Sequence, residues 1–142
     1  MRKATILSGL VPLLVAAVVS APAQAADRFT VELADAQNFD TGTSTFTSNI
    51  PGCPTGTSTT QRAMTQFGPG VFSGTRTFTC ASGVGSVTVN LSARFGEGGS
   101  VGTWSVVSGT GAFVGVHGAG RLVGTPLPDG ILDTYTGTVS VA

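Results

Sequence analysis

The sequence predicts an all-β domain, an antiparallel sandwich or barrel. Apolar and polar residues alternate at period two in one segment after another, and no ten-residue window carries an apolar period near 3.6. The chain from residue 26 onward is crowded with Gly, Thr, Ser and Val; Val, Thr and Phe suit a pleated surface. Turn signals cut it at short intervals: Ser82-Gly83, Gly96-Glu97-Gly98-Gly99 and Pro128-Asp129-Gly130.

The elements follow in order. "RFTVEL" places Phe29, Val31 and Leu33 on one face and turns Glu32 toward solvent. From Ala34 to Val71 the pattern is less regular; "TSTFTS" and "TSTTQRAMTQ" are candidate strands, and "NIPGCPTGT" reads as a loop. "GTRTFTCA" alternates Thr75, Thr77 and Thr79 with Arg76, Phe78 and Cys80. "SVTVNLSARF" is the clearest half-buried strand, with Val87, Val89, Leu91, Ala93 and Phe95 against Ser86, Thr88, Asn90, Ser92 and Arg94. "VGTWSVV" puts Trp104 and Val106 together. "GRLVG" comes next, and in "ILDTYTGTVSV" Ile131, Tyr135, Val139 and Val141 share a parity.

Residues 1–25 read as a secretory signal peptide. Arg2 and Lys3 precede an apolar run at 10–19, and Ala23-Gln24-Ala25 fits a small-residue cleavage site. A spanning helix needs about 20 apolar residues, and this run is shorter and holds Pro12. Residues 26–142 then form one domain, secreted, with no membrane attachment after cleavage. They keep five arginines, no lysine and seven carboxylates, a formal charge of −2. That balance lacks the clustered basic face of a nucleic-acid binder. An even pair of cysteines in a small exported domain predicts a Cys53–Cys80 disulfide, with two buried thiols as the alternative. The bridge closes a 28-residue loop, for which chain entropy allots about 3–4 kcal/mol. Two thiols and one histidine without C-x-x-C spacing give no metal site, and no cofactor is expected.

Several motifs fail on context. Gly109-x-Gly111-x-x-x-Gly115 imitates a dinucleotide fingerprint, with Asp129 downstream. The residues after it are too rich in glycine for the helix that must receive the pyrophosphate. Gly98-Gly99-Ser100-Val101-Gly102 matches G-x-S-x-G, but Asp129 and Asp133 follow His117, the wrong order for that fold. A Ser100–His117–Asp133 arrangement on another fold would have to be recognised by geometry. His117 is the one imidazole and hence the one candidate functional residue of its kind. Asp129 and Asp133 lack the dense ligand spacing of a calcium loop, and Pro128-Asp129-Gly130 reads as a turn. Asn90-Leu91-Ser92 is a formal glycosylation acceptor in mid-strand.

"VVSGTGAFVGVHGAG" resembles the "VVGGTGxFxxARG" signature of dirigent-like and allene-oxide-cyclase-like barrels, through Val106, Val107, Gly109, Thr110, Gly111, Phe113 and Gly118. Small secreted bacterial proteins of unknown function in this class also pair "FTC", here Phe78-Thr79-Cys80, with "GTWSVVSGTG" and a final "YTG", here Tyr135-Thr136-Gly137. The likeness runs from about Cys53 to the C-terminus. It departs at Val116-His117, where the signature has Ala-Arg, and it carries no catalytic residue onto this chain. It implies a single antiparallel β-barrel of about eight strands whose interior is filled or holds one small ligand.

The leading functional expectation is a secreted, non-enzymatic barrel that binds a small apolar ligand or an extracellular partner, with Phe78, Phe95, Trp104 and Tyr135 as lining candidates. The alternative is a cyclase- or dirigent-like isomerase acting inside the barrel. That reading requires two or more of Glu32, Arg76, Arg94 and Asp133 to converge in the interior. The oligomeric state is left open.

Overall fold

A computed structural model describes residues 27–66 and 70–141. The proposed signal peptide and the domain start at residue 26 lie outside these residues. Eight strands run in chain order: β1 (Asp27–Asn38), β2 (Thr43–Ser48), β3 (Thr55–Gln66), β4 (Val71–Cys80), β5 (Ser86–Gly96), β6 (Gly99–Gly109), β7 (His117–Leu127) and β8 (Gly130–Val141). Each pairs antiparallel with the next, and β8 returns to β1, so the sheet is a closed barrel. The closing seam is long and regular, from Asp27 opposite Val141 to Asn38 opposite Gly130. Closure removes the two terminal edges of an open sheet; the β2–β3 ladder is short, from Thr45 opposite Thr57 to Thr47 opposite Thr55. Of the two architectures open on pattern alone, the barrel is the one formed.

Strand alternation builds the interior. The buried residues Val31, Leu33, Phe78, Val89, Leu91, Trp104, Tyr135 and Val139 fall on the inward parities read from the sequence, and Phe46 on β2 and Leu122 on β7 join them. Trp104 reaches across to the β7–β8 wall, where its indole N–H is shared by the carbonyls of Arg121, at 3.1 Å, and Thr136, at 3.2 Å. Register irregularities at Thr60/Arg62 and Arg62/Thr65 in the β3–β4 pair, and at Thr88/Val89 in the β5–β6 pair, supply local bend.

One end of the barrel carries the 49–54, 81–85 and 110–116 connections; the other carries 39–42, 97–98 and 128–129. The first end is braced. Cys53 is bonded to Cys80 with a Cα separation of 5.1 Å, and both cysteines are buried in the core. A bridge of this kind fits an oxidising compartment.

Several boundaries differ from the sequence reading: β1 runs on past Leu33 to Asn38, β4 begins at Val71 rather than Gly74, and β6 spans Gly99–Gly109 rather than Val101–Val107. The loop expected through Thr57 ends at Pro54, because the Ser48 amide bonds the Pro54 carbonyl and Thr55 pairs at once with Thr47. The strand expected as "GRLVG" begins at His117 and runs to Leu127. Gly118 and Gly120 weaken its intrinsic preference, but the full-length partner β8 holds it in register from His117–Ser140 to Leu127–Gly130.

Candidate functional site

The lumen has two halves of opposite chemistry. At the disulfide end is a cavity of about 50 Å³ whose lining includes Val31, Phe46, Phe78, Trp104, Tyr135 and Val139. Phe78 anchors it with edge-to-face contacts to Phe46, at 5.5 Å between centroids, and to Tyr135, at 5.2 Å. The glycine-rich β6–β7 connection narrows its mouth, with Phe113 and Val116 in the lining. There Gly111–Phe113 forms one 3₁₀ turn, and Phe113 and Val116 insert into the core. The turn depends on left-handed backbone at Gly111 (φ 60°) and Gly115 (φ 80°), where a side chain is strained. It is tied down by the Thr110 amide to Ser86 O, at 2.9 Å, and the Ala112 amide to Val84 O, at 2.9 Å.

The other half is charged. Asp35 is 0% exposed and Arg76 5%. Arg76 Nε donates to Asp35 Oδ2 at 2.7 Å, Nη2 to Ser58 Oγ at 2.8 Å and Nη1 to Thr60 Oγ1 at 2.9 Å. Ser58 Oγ in turn donates to Asp35 Oδ1 at 2.6 Å. A second buried carboxylate, Asp133, accepts from Gln37 Nε2 at 2.6 Å. Two carboxylates thus face one guanidinium. Burial, and then the charge of Asp35, push the Asp133 carboxyl up to about 6 against the opposing pull of Arg76 and the Gln37 hydrogen bond. Gly124 makes room for this carboxylate. A Cβ there would collide with Ser100 Oγ and stand 2.8 Å from Asp133 Oδ1.

Tyr135 joins the halves. Its ring lines the apolar cavity, it is 2% exposed, and its hydroxyl has no hydrogen-bond partner among the described residues. Burial first, then the negative charges of Asp133 and Asp35, hold the proton on that hydroxyl and raise its pKa, with Arg76 opposing.

Of the lining candidates, Phe78, Trp104 and Tyr135 meet around the cavity. Phe95 does not. It has inward parity but sits at the far rim, 43% exposed, packed edge-to-face on Phe72 at 4.9 Å. Arg76 and Asp133 both lie in the interior, whereas Glu32 and Arg94 are exposed on the outer parity. Ser100 and Asp133 approach across Gly124. His117 is exposed, on the outward parity of β7 at the opposite end of that strand, so these three residues form no triad. Among the described residues no group of three or more His, Cys, Asp or Glu side chains is placed to hold a metal ion.

Asp35, Gln37 and Ser58 did not stand out as site residues. The signal was present for two of them: the parity of Phe29, Val31 and Leu33 continues through Asp35 and Gln37. A charged residue that keeps an apolar parity enters the lumen. Ser58 carried no such mark in its Thr- and Ser-rich strand.

No protein-family model, no curated protein and no solved structure matches this chain.

Proposed function

We propose that the chain works outside the cell as a non-enzymatic β-barrel that encloses a small apolar molecule in the disulfide-braced half of its lumen. The observation that carries this reading is the apolar cavity whose mouth is narrowed by a segment that is not part of the sheet. The cavity volume of about 50 Å³ is below the roughly 150 Å³ that accepts benzene and the roughly 300 Å³ where sites for drug-sized ligands begin. Residues 110–116 therefore act as a door. Withdrawal of the Phe113 ring vacates a benzene-sized space and enlarges the cavity to take one small ring system. The apolar signal segment at 1–25 and the buried disulfide support export. The closed eight-stranded barrel supports kinship with the dirigent-like and allene-oxide-cyclase-like class, and that kinship supports an occupied lumen.

Native mass spectrometry of the protein purified from its own culture medium tests the reading. The expected spectrum contains polypeptide with a retained small molecule. Bare polypeptide in repeated preparations overturns it.

The second reading, a cyclase- or dirigent-like isomerase, is favoured by one observation: Arg76 and Asp133 stand together inside the barrel, with Asp133 poised near pH 6. Conversion of the retained molecule to an isomer of equal mass by wild type, and not by Asp133→Asn, would select it.

A further inference from the structure

We infer that the outer wall of the barrel carries a second binding site, for a cationic, hydroxylated ligand with the chemistry of an amino sugar. It is independent of the apolar chamber.

An open-sided recess of about 570 Å³ lies on the outside of β1, β2 and β8, and its lining includes Glu32, Ala34, Thr47, Asn49, Thr134 and Thr136. Small-molecule sites span roughly 300–1,000 Å³. Register explains the shape. The β1–β2 ladder runs from Asn38–Thr43 to Leu33–Ser48 and ends there. Asn49 then takes over the edge of β1. Its amide donates to the Glu32 carbonyl at 3.1 Å, its Oδ1 accepts from the Glu32 amide at 2.9 Å, and its Nδ2 donates to the Thr30 carbonyl at 2.9 Å. Ala34, on the outward parity, lies between its partners Thr47 and Thr134 and makes a low floor. Glu32 and its partner Thr136 stand one step along the same strands.

The uncommitted groups select the ligand. Among the described residues, no side-chain hydrogen bond or ion pair engages the Glu32 carboxylate or the hydroxyls of Thr47, Thr134 and Thr136. Hydroxyls both donate and accept, which suits a polyol. The alanine and threonine methyls suit the C–H face of a sugar ring. Glu32 adds one unpaired charge. A hydrogen bond from an ammonium to a carboxylate is roughly twice as strong as a neutral one, so an amine is favoured over a hydroxyl at that point. Arg121, on the far side of Thr136, does not line the recess. An anion is repelled by Glu32, and a calcium ion, which takes about 6–8 oxygen ligands, finds a single carboxylate.

The glucosamine disaccharide and cellobiose share a backbone and differ in an ammonium for a hydroxyl at one carbon of each ring. Protein-observed NMR titration at pH 5.5 and low ionic strength compares them on the secreted chain, on Glu32→Gln, on Ala34→Leu and on Glu97→Gln, which removes an exposed carboxylate at the opposite end of the barrel. The expected shifts fall on the amides of Glu32, Ala34, Asn49 and Thr136. Wild type and Glu97→Gln are expected to bind the amino sugar about three- to fivefold more tightly, the size of one exposed ion pair. Glu32→Gln is expected to bind the two equally, and Ala34→Leu to bind neither. Absence of shifts on this wall with both sugars, equal affinity for the two in wild type, or an amine preference that survives in Glu32→Gln or disappears in Glu97→Gln overturns the inference. Each of these outcomes leaves the chamber reading standing.

Discussion

The two halves of the lumen are fed by the same strands and stabilised by different physics. β1 contributes Val31 and Leu33 to one and Asp35 and Gln37 to the other; β4 contributes Phe78 and Cys80, then Arg76; β8 contributes Val139, then Asp133. The apolar half gains by area, spread over many contacts and tolerant of the loss of any one. The charged half works by partners. Buried carboxylates and guanidinium are costly in isolation, and each holds its place only while its counterpart remains. Strand alternation delivers every second residue inward whatever its polarity, so a barrel that admits one charge must admit the group that answers it.

The contrast is broken most severely by removing Arg76. Arg76→Met leaves Asp35 fully buried without its guanidinium and is expected to cost about 3–5 kcal/mol, read from urea unfolding. The double variant Asp35→Leu/Arg76→Met is expected to recover most of that loss, because both charges leave together. A cost below about 1 kcal/mol for Arg76→Met would mean that the charged half behaves as a solvated surface pair.

Asp133 sharpens the comparison through pH. Its folded-state pKa is raised to about 6 from the ordinary carboxylate value of 3.8. Folding therefore favours the protonated form. That stabilisation is complete below pH 4 and is lost as pH rises through 6. The span is worth at most about 3 kcal/mol at 1.36 kcal/mol per unit. Wild type should melt at a higher temperature at pH 4.5 than at pH 7.5, and Asp133→Asn, neutral at both, should flatten the difference. A wild-type melting temperature that rises between pH 4.5 and 7.5 would show that the buried carboxylate is not the group in control.

Most of the barrel was legible because alternation is a local property. β2 (Thr43–Ser48) matches the expected "TSTFTS", and β5 and β8 nearly match their segments. Phe78, Trp104 and Tyr135 could be read as lumen residues because parity and aromatic size agree. Phe95 shows where that stops. Its parity is inward, but how far the lumen extends along a strand is set by stagger against the neighbours, which one segment does not encode. The charged half was hidden for a related reason. Asp35, Arg76 and Asp133 are 41 and 57 residues apart in succession and meet only on closure of the β8–β1 seam and the barrel around it. Their inward parity was visible residue by residue; their mutual answer was not. In the glycine-rich stretch at 109–120, the return to sheet at His117 comes three residues before the Gly120 that opens the expected "GRLVG".

Tyr135 produces the smallest effect and the most informative one, since it belongs to both halves. Tyr135→Phe keeps the ring contacts with Phe78 and Trp104 and deletes a hydroxyl that has no partner among the described residues. Removal of an unsatisfied buried polar group relieves a desolvation cost, so the variant is expected to gain up to about 1 kcal/mol in stability without ligand. Thermal unfolding of ligand-free protein at pH 7.5 measures it. A loss of more than about 1 kcal/mol would mean that the hydroxyl is satisfied within the folded protein, by Asp133 or an ordered water, and the two halves would then be joined by a structural hydrogen bond.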